Sequence, residues 1–130
     1  MKKIILILLI NLFCGSVQAE DSNYIFVGRD QYIDYFVDIT SVTYIDPETI
    51  SIHKIGQTTE AHQKITQIFL IDGIIEIDCK RKINRVVSIV GYDENANVVF
   101  EVLNAKNRLW ENVQPGHGAN TMKLACSQSN

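Results

Sequence analysis

Ile74-Ile75-Glu76-Ile77-Asp78-Cys79-Lys80 is the stretch whose reading decides the fold. Ile75, Ile77 and Cys79 fall on one side of an extended chain and Glu76, Asp78 and Lys80 on the other, which is the period-two pattern of a strand with one face on a core. Cys79 is thereby turned inward, and Glu76 and Asp78 read as a solvated face. Upstream, Asp72-Gly73 has the composition of a two-residue hairpin turn, with residues 64–71 as the strand before it. Downstream, Lys80-Arg81-Lys82 reads as a basic turn and residues 83–92 as a long strand. Residues 93–97 then form a polar turn and residues 98–103 a partner strand, so that the whole is an antiparallel meander.

The same alternation extends toward the N-terminus. Residues 24–27 and 32–37 are short runs of aromatic and β-branched residues, and residues 50–55 alternate after a turn at Asp46-Pro47-Glu48. Residues 56–62 are polar and read as a hairpin loop. Toward the C-terminus, residues 104–108 form a turn, residues 109–113 a short extended segment, and Pro115-Gly116-His117-Gly118 a break. Residues 119–126 lack proline and glycine and place Met122, Ala125 and Cys126 on one helical face. The expected fold is α+β: about six strands in an antiparallel meander, with a short C-terminal helix held to the sheet by Cys126.

The N-terminus assigns the compartment. Lys2 and Lys3 precede a nearly unbroken apolar run over residues 4–13, and Val17-Gln18-Ala19 offers small residues where a signal peptidase cuts. Residues 1–19 therefore read as a cleaved signal peptide, and residues 20–130 as a single domain. The run is too short for a membrane span, which needs about 18 apolar residues or more. Phe13 is too bulky, just before Cys14, for a lipid-attachment signal. Export to the periplasm or outer surface of a Gram-negative-type bacterium is the expectation.

Loss of Lys2 and Lys3 takes the formal charge from −3 to about −5, which disfavours a nucleic-acid partner. Once Cys14 leaves with the leader, only Cys79 and Cys126 remain, and a single pair in an oxidising compartment reads as a disulfide. Closing so long a loop stabilises the fold by about 4 kcal/mol on a chain-entropy argument. A redox or metal role for the pair lacks the C-x-x-C spacing.

At this point the residues carry a resemblance. Tyr35-Phe36-Val37-Asp38, Ser41-Val42, Glu76-Ile77-Asp78-Cys79, Tyr92, Trp110, Val113-Gln114-Pro115-Gly116 and Leu124-Ala125-Cys126, in that order, resemble the surface-adhesin protein E family over most of the mature chain. The resemblance implies an antiparallel sheet with a disulfide-pinned C-terminal helix. It also implies a protein partner, namely host extracellular matrix or serum proteins such as vitronectin, laminin or plasminogen. The chain departs from the family pattern in lacking a tryptophan near the start of the domain and another in the strand at residues 50–55, and in having His117 where a serine is more usual. Only Cys79 and Cys126 are carried over.

Catalytic motifs are missing: there is no G-x-S-x-G, no H-E-x-x-H and no Gly-rich phosphate loop. The chain therefore reads as non-catalytic and without a cofactor. Glu76 and Asp78 share a strand face, but without a partner motif they read as surface carboxylates. His53, His62 and His117 have no second ligand at metal spacing and read as surface histidines, so no metal is expected. Lys80, Arg81, Lys82 and Arg85 are the only concentrated charge; they read as a solvated turn, with contact to an anionic surface as the alternative. Trp110 reads as a structural cover near the C-terminal helix, with an exposed binding anchor as the alternative. Two functions remain open: an adhesin-like module that adds a strand to a partner or to a second copy as a homodimer, and a periplasmic accessory or enzyme-inhibitor domain.

Overall fold

The computed structural model describes residues 23–103 and 108–128; the signal-peptide reading and most of the turn at residues 104–108 lie outside these. Seven strands form one sheet: β1 (Tyr24–Arg29), β2 (Ile33–Asp46), β3 (Thr49–Thr58), β4 (Leu70–Asp78), β5 (Ile83–Tyr92), β6 (Val98–Val102) and β7 (Glu111–Asn112). The first six follow one another as an antiparallel meander, and β7 pairs with the start of β5. Two helices complete the described fold, α1 (Glu60–Thr66) and α2 (His117–Ser127).

Aspartates close the turns between successive strands. Asp30 accepts from the amides of Tyr32 and Ile33, Asp46 from Glu48 and Thr49, Asp78 from Lys80 and Arg81, and Asp93 from Asn95 and Asn97. A short carboxylate that reaches the backbone two to four residues on mimics a backbone turn, which is why aspartate recurs at these corners. The backbone amides hold the Asp46 and Asp93 carboxyls below the usual carboxylate range.

The core lies between α2 and one face of the sheet. Val27, Val37, Ile50, Ile52, Ile75 and Ile77 are buried there against Ala125, with Met122, Cys79 and Cys126 packed on the cluster. Paired registers put Ile50 opposite Ile77 and Ile52 opposite Ile75, so the inward residues of neighbouring strands form rows under the helix. The expected helical face of Met122, Ala125 and Cys126 is the face that docks. The Cys79–Cys126 disulfide joins the end of β4 to this helix, with the two Cα atoms 5.9 Å apart. Gly28 lets α2 come close: a Cβ there would lie 3.0 Å from the His117 Cβ, and its φ of 151° suits glycine.

Three expectations are corrected. Residues 56–62 are not a hairpin loop, and of residues 64–71 only Leu70 and Ile71 are strand, at the start of β4, because β3 continues to Thr58 and α1 occupies residues 60–66. Thr59 caps α1 by accepting from the His62 amide, and Gln67 ends it in a left-handed conformation. Asp72-Gly73 is not a turn but lies mid-strand, Gly73 pairing with Lys54 on one side and Ile89 on the other. Glu76 and Asp78 are not solvated: both are buried, Glu76 against Arg85 and Asp78 under its own turn and Arg81. The second strand also runs on to Asp46, past a register shift after Asp38.

Candidate functional site

The charged cluster seen in the sequence is divided by the fold. Arg85 sits opposite Glu76 in the β4–β5 register, and its Nε and Nη2 donate to Glu76 Oε1 at 2.8 and 2.7 Å. Arg81 Nε lies 3.0 Å from Asp78 Oδ2, and Lys80 Nζ 3.5 Å from Glu48 Oε1. Lys82 takes a positive φ as the turn closes. Lys80, Arg81 and Lys82 therefore share one exposed turn that Asp78 organises, while Arg85 belongs to a buried ion pair on the next strand.

Trp110 is half-buried, with the Arg85 guanidinium carbon 4.5 Å from its ring centroid. Because Glu76 and Arg85 alternate with Ile75 and Ile77, this stack lies on the face opposite α2. The indole therefore covers a buried ion pair rather than the edge beside the C-terminal helix. Its π face meets the cation, which shields Arg85 and Glu76 from water and favours their pairing.

The three histidines each meet a tyrosine. His53 lies edge-on to Tyr24 at 6.0 Å, His62 stacks on Tyr32 at 4.8 Å, and His117 stacks on Tyr35 at 3.8 Å. All three are half-buried rather than free surface residues. His53 Nε2 is also hydrogen-bonded and ion-paired to Asp72, and this carboxylate raises the imidazole above its ordinary value despite burial. Among the described residues there is no cluster of His, Cys, Asp and Glu able to hold a metal ion, and no helix is long and apolar enough to cross a membrane.

The two edges of the sheet differ. At β1 the register shifts between Phe26 and Gly28, and Arg29 pairs with Asp34 on β2. A bulge and a charge of this kind discourage further pairing. At the other side, β6 is hydrogen-bonded to β5 alone among the described strands. Val98, Val99, Val102 and Leu103 are exposed along it, Val98 at 54% and Leu103 at 56%. Glu101 is the one charged residue within it. An exposed run of β-branched residues with an unpaired backbone edge is chemically a template for another strand. This edge is visible in the sequence as the last strand of the meander, but its exposure is a tertiary property: on one face α2 packs on β1, β2 and β3 instead.

No family model matches the sequence, and no curated protein matches it.

Proposed function

We propose that the mature chain is an exported, non-catalytic binding domain that takes an extended segment of a protein partner onto the free edge of β6. The observation that carries this reading is the open, apolar β6 edge, set against a β1 edge that is bulged and charged. Backbone hydrogen bonds to the added strand would give affinity, and the valines and Leu103 would supply side-chain contacts on alternate faces. The leader-like N-terminus and the Cys79–Cys126 disulfide support export. The resemblance of the ordered residues to the surface-adhesin protein E family supports host matrix or serum proteins as the partner class, with vitronectin, laminin and plasminogen as the proteins to test.

The experiment has two arms. Protease applied to intact cells digests a surface-displayed domain; protection until the outer envelope is opened, with a periplasmic protein as control, would favour a periplasmic accessory or inhibitor role instead. Retention of the mature chain on immobilised vitronectin, laminin or plasminogen is lost when Val99→Lys and Val102→Lys are combined, because lysine on an edge strand opposes pairing. Equal retention of wild type and the double variant on a protein that captures both would sink the β6 reading. Sedimentation of the wild type decides whether a second copy occupies the same edge as a homodimer.

A further inference from the structure

On the face that carries α2, a cleft of about 220 Å³ opens beside the first residue of the helix, His117, and extends across β3, β4 and β5. Its walls are Ile71, Ile75, Val86 and Ile89, with Tyr35 and His117 at the helix side. The hollow has a simple cause in the register. Lys54, Gly73 and Ile89 lie side by side on three neighbouring strands, and the middle residue has no side chain. A Cβ at Gly73 would approach the Ser88 carbonyl to 3.2 Å, so the position stays open.

Lys54 lines this cleft and is only 7% exposed. Its Nζ lies 2.8 Å from His117 Nδ1, and the ammonium sits 5.1 Å from the Tyr35 ring centroid. Among the described residues Lys54 takes part in no ion pair. Asp30 accepts from the far end of Tyr35, at the hydroxyl, 3.0 Å away. A buried amine has three donors, and a buried cation is ordinarily paired with an acceptor of opposite charge. His117 Nδ1 uses one donor and brings no charge. Burial and the Lys54 charge hold the imidazole below its ordinary value, consistent with a neutral ring that accepts at Nδ1.

We propose that this cleft binds a small monocarboxylate with an apolar tail of about five carbons, the carboxylate accepting from Lys54 Nζ and the tail lying over Gly73 against Ile71, Val86 and Ile89. The cleft is small, about 220 Å³, and the apolar wall of Ile71, Ile75, Val86 and Ile89 spans β4 and β5, which limits the tail to a short chain. The walls set the rest of the chemistry: they are apolar and supply one amine, so a phosphate or sulfate dianion, which needs several donors, is not matched. The site borders β6, since Ile89 pairs with Val102, but it uses side chains on the α2 face rather than the outer backbone edge of β6 and does not depend on the strand-addition reading.

Calorimetry on the oxidised mature chain with hexanoate, hexanol and hexylamine tests the headgroup. Hexanoate binds, and the alcohol and the amine bind at least about tenfold more weakly, since each tenfold corresponds to one modest charged contact. Lys54→Met removes the preference for hexanoate over hexanol while circular dichroism stays that of the wild type. In the wild type, hexanoate shifts the methyl resonances of Ile71, Ile75 and Ile89, a readout that does not depend on any variant folding. Equal binding of hexanoate and hexanol, shifts confined to residues outside the cleft, or a folded Lys54→Met with undiminished preference for hexanoate would each overturn the proposal.

Discussion

The half of the sheet beneath α2 and the half that ends in β6 are built from the same meander but are held differently. Under α2, Val37, Ile50, Ile52 and Ile77 are almost fully buried, and a disulfide ties the covering helix to β4. At β6, four large apolar side chains remain exposed and, among the described strands, one neighbour supplies the hydrogen bonds. Burial of a full aliphatic side chain is worth about 1.5–3 kcal/mol, so the first half carries most of the stability. The second half has surface to offer a partner. A small domain that leaves a strand edge open needs its rigidity elsewhere, and here the rigidity is concentrated at the opposite end.

The contrast can be broken most sharply at the staple. Cys126→Ser frees the end of α2 and lowers unfolding free energy by about 2 to 4 kcal/mol, read as a shift in denaturation midpoint. Unchanged midpoints would mean that α2 docks without covalent help. A second effect of comparable size runs the other way. Burial pushes the Lys54 amine down to about 8, so below that pH the folded chain carries a buried cation that the unfolded chain would solvate. Lys54→Met therefore raises stability at pH 7, by something on the order of 3 kcal/mol for a shift of this size. The sign follows from linkage: between about 8 and the ordinary lysine value the unfolded state binds more protons. The wild type thus gains on the variant as pH rises through that window, and urea melts at pH 7 and pH 10 measure the convergence.

Smaller effects belong to the face opposite α2. Trp110→Ala uncovers the Arg85–Glu76 pair and destabilises by about 1 kcal/mol, seen in the same melts; no change would make the indole a free surface anchor. Asp72→Asn removes the partner of His53, at a cost of about 1 kcal/mol or less for a partly exposed pair. Because the carboxylate raises the His53 value, that stability is fully present below the unfolded histidine value. It is lost as pH rises through the folded one. The difference between Asp72→Asn and wild type should accordingly be larger at pH 6 than at pH 9.

Much of the frame was legible because its signals are local. The alternation of Ile75, Ile77 and Cys79 locates β4, two cysteines can pair in only one way, and Met122, Ala125 and Cys126 mark the docking face of α2. The failures came where local composition competes with tertiary pairing. Asp72-Gly73 looks like a turn, yet β3 on one side and β5 on the other offer continuous partners, and the glycine is needed mid-strand for the approach of Ser88. The α1 segment is divided by composition between a polar loop at residues 56–62 and a strand from residue 64, although Thr59 as a cap and the Glu60 and Lys64 spacing are helix signals. Glu76 looked solvated because its partner Arg85 is nine residues on, across a turn. Lys54 carried no motif, since its burial depends on Tyr35 and His117, which the fold brings from the neighbouring β2 and from the start of α2.

Amide hydrogen exchange, followed in the free mature chain and after addition of vitronectin, laminin or plasminogen, tests the central claim most directly. The account predicts rapid exchange along β6 in the free chain, slow exchange in β3 and β4, and new protection confined to residues 98–102 when a partner binds. Protection that appears instead at Trp110 or the Lys80–Lys82 turn, with β6 unchanged, would contradict it.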